Sequence, residues 1–249
     1  MTIQSTTDLT ELRALGRIAA SIRDTVTEAA SPGTTTRQLD TLAARLAARH
    51  GARSAPQDEY GFPGFLCLSV NDAIVHGVPN DRPLAPGDVI TVDVTIARAG
   101  YVVDTARTVA LPSTSPTGER LAASAAEALT EGVRALSAGT PLRRVGAAIS
   151  GAVRQAGFHV LRDLCGHGVG RRIHEFPPVP NYPEPRDDIV VWDGLVLAVE
   201  PIISAHPTAI HQDADGWTLR TATGCHSAHY EHTVVVCEGR ALVLTAALH

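Results

Sequence analysis

The 249-residue chain is 44% hydrophobic and 19% charged, with a formal net charge of −5. That length and balance suit a globular chain able to bury a sizeable core, and the negative charge excludes a basic nucleic-acid-binding field. No apolar run reaches the about 18 residues of a membrane span, and Cys67, Cys165, Cys225 and Cys237 form neither a C-x-x-C pair nor a zinc-finger spacing.

The N-terminal stretch MTIQSTTDLTELRALG has no basic start followed by an apolar run, so it does not read as a signal peptide. With thiols read as reduced, the expectation is a cytoplasmic protein. All 21 basic residues are arginine, which removes any lysine-rich docking patch.

Residues 8 to 29 predict a helix, with Asp8 and Glu11 as a D-x-x-E capping box. Leu9, Leu12, Ile18, Ile22 and Val26 recur along it at helical spacing. Ser31-Pro32-Gly33-Thr34 is a turn, and the next helix carries Leu39, Leu42 and Leu46 and ends near Gly51. From Gly64 to Ala110 the pattern turns to short β runs. The clearest are VITVDVTIA and YVVDTARTVA, joined near Arg98-Ala99-Gly100. Ser115-Pro116 then reads as an N-cap and first-turn proline of a helix running to about Leu136.

The second half repeats this plan. Ser137-Ala138-Gly139-Thr140 echoes the earlier turn 106 positions later, and Gly157 follows Gly51 by the same offset. The β pattern returns at LVLAVEPII and EHTVVVCE, while the proline-rich EFPPVPNYPEP (175 to 185) is expected to be a loop. Two copies predict an α/β fold of duplicated halves, roughly 8–110 and 115–249, in one domain spanning 1–249.

Asp93 and Asp104 lie in the two joined β runs, which places them nearly opposite each other across a hairpin. Opposed residues have Cβ atoms about 4.5–5.5 Å apart, where two carboxylates repel in an apolar setting. Either a divalent cation lies between them, or one faces solvent or pairs with a cation such as Arg107. Glu200 corresponds to Asp93 in the second half, 107 positions on, and Glu231 is a further acid entering an apolar strand. Glutamate is rarely buried without a partner. His167 sits in G-H-G-x-G, whose glycines allow close backbone approach. Cys67 and His76 map onto Cys165 and His174, both offset by 98. Two aspartates, two glutamates and one imidazole suit Mn, Fe(II), Co or Zn in a paired site.

These motifs (CLSVNDAIVHGVPN, GDVITVDVT, YVVDTARTV, GHGVGRRIHE, VLAVEPII and YEHTVVV) resemble, in order and spacing, the type I methionine aminopeptidases. The resemblance implies the pita-bread fold, a central antiparallel sheet covered by helices. It implies two divalent metal ions held by Asp93, Asp104, His167, Glu200 and Glu231, with Asp104 and Glu231 shared. Glu200, His76 and His174 take catalytic roles, and the two histidines also contact substrate. Tyr60, Phe62, Cys67, Ile173 and Trp217 line the methionine pocket. The implied activity is removal of the initiator methionine by a monomeric enzyme. Its partner is a peptide or nascent-chain N-terminus, with the ribosome as a candidate docking site and no nucleic acid or membrane.

Four positions depart from the family pattern. Ile173 stands for a usual phenylalanine, Glu59 for a frequent tyrosine, Gly64 for a common lysine and His229 for a common glutamine. Three other readings compete. An Xaa-Pro peptidase shares the fold and metals but carries an extra N-terminal domain. A metal-free binding module shares only the fold. A specialised-metabolism peptidase shares the site with altered specificity.

Overall fold

Ser5, in extended backbone, opens the first helix of the computed structural model, which describes residues 1–185 and 188–246. Its Oγ accepts from the Asp8 N–H (3.2 Å) while Asp8 Oδ2 accepts from the Ser5 N–H (3.0 Å). The capping box is therefore Ser5 with Asp8, not Asp8 with Glu11, and α1 runs Thr6–Ala29. Two overlapping cap patterns stand in the sequence, and tertiary partners choose between them. Asp8 Oδ1 accepts from the Tyr101 hydroxyl (2.8 Å) and from Arg171 (2.7 Å), which holds Asp8 inside the first turn.

The remaining helices are α2 (Thr36–Ala48), the short α3 (Ala55–Tyr60), α4 (Pro116–Ala135) and α5 (Leu142–Gln155). Ser115 caps α4 by accepting from the Gly118 N–H (3.2 Å), as the Ser-Pro pair predicts. Among the described residues, no helix is long and apolar enough to cross a membrane.

The two halves reproduce one another bond for bond at their turns. The Gly33 N–H donates to Leu84 O and the Leu84 N–H to Thr34 O, both at 2.8 Å. In the second half the Gly139 N–H donates to Val191 O (2.8 Å) and the Val191 N–H to Thr140 O (2.9 Å). Helices α1 and α2 pack on the first-half strands around Leu12, Ile22, Leu39 and Ile90. Helices α4 and α5 pack on the second half around Leu121, Leu142, Ile149 and Leu197.

Strands Cys67–Val70, Val89–Asp93 and Ala106–Ala110 form one antiparallel sheet. Glu175–Pro180, Cys165–Gly168, Val196–Val199, His232–Cys237 and Arg240–Val243 form another. The sheets meet where Ala106 and Glu231 exchange backbone hydrogen bonds, 3.3 Å and 3.0 Å long. This is the antiparallel α/β arrangement of duplicated halves that the repeat predicts.

Two sequence expectations change. VITVDVTIA and YVVDTARTVA each break in two, giving Val89–Asp93, Ile96–Arg98, Tyr101–Val103 and Ala106–Ala110. The linking turn has two residues, Ala99 (φ 50°) and Gly100 (φ 78°), so Arg98 pairs with Tyr101 and Asp93 with Ala106. Asp93 and Asp104 are thus diagonal neighbours, and Cys67 is the residue directly beside Asp93 on its other flank. The proline-rich segment is not wholly loop either, because Glu175–Pro180 is an edge strand of the larger sheet. Proline lacks an N–H and is tolerated at an edge, where only one side of the strand is paired.

Helix α5 lies directly on this edge. A Cβ at Gly146 would stand 2.2 Å from Tyr182 O, whereas one at Gly151 would meet nothing within 4 Å. Gly146→Ala is therefore expected to cost about 1–3 kcal/mol, or several degrees of Tm at about 2–4 °C per kcal/mol. Gly151→Ala is expected to leave Tm unchanged or raise it. Calorimetry of the two variants compares them directly, and equal shifts would contradict this packing.

Candidate metal centre

Strand breaks position the candidate ligands. Asp93 ends one strand, and Asp104 lies between Tyr101–Val103 and Ala106–Ala110. Glu200 follows Val196–Val199, and Glu231 separates Ser227–His229 from His232–Cys237. His167 stands within Cys165–Gly168, whose neighbouring strands come very close. A Cβ at Gly166 would lie 2.4 Å from Ala198 O, and one at Gly168 2.3 Å from Phe176 O.

All five residues line one cavity, together with His76, His174, Tyr60, Phe62, Cys67, Ile173 and Trp217. Every site residue singled out in the sequence is thus brought to the same cavity. Asp104, His167, Glu200 and Glu231 are buried, and Oδ1 of the half-buried Asp93 is itself shielded from solvent.

Neighbouring polar groups hold the ligands in place. The Thr95 hydroxyl donates to Asp104 Oδ1 (2.8 Å), and the Thr233 hydroxyl bonds both the N–H and the C=O of Asp104. The Thr105 hydroxyl donates to Glu231 O (2.9 Å), and Asn181 Nδ2 to Glu200 O (2.8 Å). His167 Nδ1 lies 2.9 Å from Gly168 O. A carbonyl only accepts, so Nδ1 carries a proton, and Nε2 faces Glu200 Oε1 at 3.3 Å.

The electrostatics of this cluster are unfavourable without a cation. Burial pushes the Asp93 and Glu231 carboxyls well above the usual carboxylate range, and Asp104 and Glu200 push them further. Burial likewise lifts Glu200 to about 8, with Asp104 adding to the rise and His167 opposing it. Asp93 Oδ1 and Glu231 Oε1 are buried without a hydrogen-bond partner among the described residues. Hard oxygen donors, an aligned imidazole and orphaned carboxylate oxygens fit divalent cations. Ligand atoms of Asp104, His167 and Glu231 lie within 4.8 Å of one another, as do those of Glu200, His229 and Glu231.

The apolar side of the cavity is built from both halves. The hairpin of Ile210–Gln212 and Leu219–Thr221 pairs onto Ala73–Val75. Trp217 comes edge-on to Phe62, with ring centroids 5.3 Å apart. Buried Ile173 is fixed through its backbone, whose N–H donates to Glu59 Oε2 (3.2 Å). His174 Nδ1 lies 2.7 Å from the Tyr60 hydroxyl, and its ring meets that of His167 with centroids 4.4 Å apart. His76 adopts φ 56°, an uncommon conformation for a non-glycine residue. Two of the departures thereby gain structural reasons. Glu59 holds the 173 segment, and Gly64 could carry no side chain without meeting Pro79 Cδ at 2.5 Å.

His229 is the residue that the motifs noted only as a departure. Its ring enters the cavity 3.3 Å from Glu200 Oε2 and 3.7 Å from Glu231 Oε2, and burial lowers its pKa to about 4. Strand alternation was the available signal, since His229 lies two residues before Glu231 and shares its face. The supporting Thr95 and Thr233 stand at the same two-residue spacing from Asp93 and Glu231.

The description of Metallopeptidase family M24 matches residues 10–238. The chain is 37% identical over 247 residues to a protein of Staphylococcus epidermidis named methionine aminopeptidase, covering 98% of each chain. Its fold superposes on the crystal structure of methionine aminopeptidase from Rickettsia prowazekii with a TM-score of 0.94 at 32% identity, over 99% of this chain and 100% of that one. The prolidase from Pyrococcus horikoshii shares the fold at a TM-score of 0.78 and 19% identity, with all of this chain covering 64% of that one.

The shift of Glu200 has a measurable consequence. Its folded pKa lies above the unfolded value, so the folded state holds this proton more tightly and stability falls as pH rises from about 4.5 towards about 8. Between pH 6.5, above which imidazoles are largely neutral, and pH 8, chelator-treated protein is expected to lose about 1–2 kcal/mol through this group. Asp93 and Glu231 act in the same direction. Thermal melts across this range should show the decline, and Glu200→Gln should flatten it. A Tm that rises with pH in both proteins would contradict the assignment.

Proposed function

We propose, because the chain belongs to metallopeptidase family M24, that it is an aminopeptidase releasing N-terminal methionine from peptides and new polypeptides. The observation that carries this reading is a cluster of buried carboxylates opening onto an apolar wall. The proteins of S. epidermidis and R. prowazekii named above support it.

In this reading Asp104 and Glu231 are shared ligands, Asp93 completes one cation position, and His167 with Glu200 completes the other. Divalent cations bound there supply a water of lowered pKa and Lewis-acid polarisation of the scissile carbonyl. The acidic cavity attracts the ammonium group of a peptide N-terminus. Phe62, Trp217, Ile173 and Cys67 receive its first side chain, and sulfur–aromatic contacts favour a thioether by about 0.3–1.5 kcal/mol. Partial burial and then Glu59 push the Tyr60 phenol up to about 12, so it stays protonated beside His174 Nδ1, 2.7 Å away. His174 stands by the carbonyl oxygen as negative charge develops there, and its Nε2 donates to that oxygen in the tautomer in which Nδ1 accepts from Tyr60. His76 contacts the substrate amide, and Glu200 relays a proton from the attacking water to the departing amine.

We carry the cytoplasmic setting and nascent chains at the ribosome into this reading from the family resemblance. The expected state is a monomer of 26.2 kDa, which light scattering checks.

Apoprotein reloaded separately with Mn, Fe(II), Co or Zn is expected to cleave Met-Ala-Ser in preference to Leu-Ala-Ser and Ala-Pro-Ser. Preference for Ala-Pro-Ser would move the reading to an Xaa-Pro peptidase, and cleavage of none despite bound metal would remove it. Asp104→Asn and Glu231→Gln are each expected to abolish turnover. His174→Ala should cut kcat about 100-fold or more while metal content, read by elemental analysis, stays unchanged.

A further inference from the structure

The family resemblance leaves one cation position with oxygen ligands alone and assigns His229 no role. The cavity shows something different at this residue. His229 is 2% exposed, and among the described residues neither ring nitrogen has a hydrogen-bond partner. A buried polar ring without partners is costly unless something engages it. Its Nε2 faces two carboxylates at once, Glu200 Oε2 at 3.3 Å and Glu231 Oε2 at 3.7 Å. Although Nε2 lies near Glu200, no hydrogen bond joins them, which speaks against a ring that merely orients this carboxylate.

The separation from Glu200 is that of two ligands to a common ion. Two donors each about 2.1 Å from one cation and 90–110° apart lie about 3.0–3.4 Å from each other. The same 3.3 Å separates His167 Nε2 from the other oxygen of Glu200. The side chains accordingly sort into two three-residue groups that share Glu231, and each contains one imidazole: Asp104, His167 and Glu231; and Glu200, His229 and Glu231. The backbone secures this placement, since the Thr108 hydroxyl donates to His229 O and the His229 N–H to the Thr108 hydroxyl, both at 2.8 Å.

We propose that His229 is a metal ligand through Nε2, adding a second imidazole to the centre beside Glu200 and Glu231. This rests on the dinuclear-site part of the proposed function and adds a ligand to it. Adding an imidazole to a centre dominated by hard oxygens shifts preference from Mn(II) and Mg(II) towards Zn(II), Co(II) and Fe(II). The consequence is a centre that holds Zn(II) or Co(II) more tightly than its carboxylates and His167 alone would.

The test is X-ray absorption spectroscopy of protein loaded with two equivalents of Zn(II), with calorimetric titration of Zn(II) and Mn(II). Parent protein is compared with His229→Gln and His229→Ala, and circular dichroism verifies folding. The parent should show about one imidazole per zinc on average, and both variants about half as many. Affinity for one zinc equivalent should fall at least about tenfold in the variants, with a smaller change for Mn(II). Half an imidazole per zinc already in the parent, or unchanged zinc affinity in both variants, overturns the role of His229 and leaves the dinuclear reading intact. Failure of the parent to bind two equivalents of any of these ions overturns both.

Discussion

Four carboxylates, Asp93, Asp104, Glu200 and Glu231, converge in one cavity, and burial makes their mutual repulsion the constraint to which the surrounding structure is fitted. None of the four lies in the middle of a paired strand. Each stands at a strand end or break, and threonine hydroxyls or an asparagine amide bond the backbone of Asp104, Glu231 and Glu200. The apolar cores lie under the helices on either side and supply the rigidity that keeps like charges together. A cation between the carboxylates turns that cost into binding energy, which is why the centre fits divalent ions and not a neutral cofactor.

The duplicated architecture explains how so many acids reach one point. Each half brings one acid after an apolar strand, Asp93 and Glu200, beside a strand that starts with a cysteine, Cys67 and Cys165. The halves join where Ala106 and Glu231 exchange hydrogen bonds. The cavity therefore sits at the join, and a hairpin of the second half reaches across to pair with the strand before His76. Neither half holds a complete ligand set alone. The apolar wall is divided in the same way, with Phe62 from one half against Trp217 from the other.

Departures from the family pattern fall around the cavity, and their physical effects differ. Glu59 and Gly64 are accommodated by backbone: one carboxylate receives the Ile173 N–H, and one missing side chain makes room for Pro79. Ile173 trades an aromatic for an aliphatic surface in the pocket wall. His229 changes the donor chemistry of the centre itself, because it places an imidazole where an amide is usual.

Much was legible in the sequence. Helical periodicity and turn residues located α1, α2 and α4, and the 106-residue offset between the S-x-G-T turns revealed the duplication. Acids amid apolar runs and a histidine between glycines marked the residues that gather in the cavity. These features are local, set by spacing and by the cost of burying charge. Pairing and contact decided the rest. The choice of Ser5 over Asp8 as cap depended on Tyr101 and Arg171, far away in the chain. The diagonal relation of Asp93 and Asp104 depended on a two-residue turn that set the register. The prolines of 175–180 became strand because an edge position asks for fewer N–H donors. The place of His229 between Glu200 and Glu231 arose only when strands from separate parts of the second half were brought together. Sequence alone determined which residue types were costly to bury; tertiary structure decided which of them share a face, because register and long-range pairing are properties of strands together and not of either strand alone.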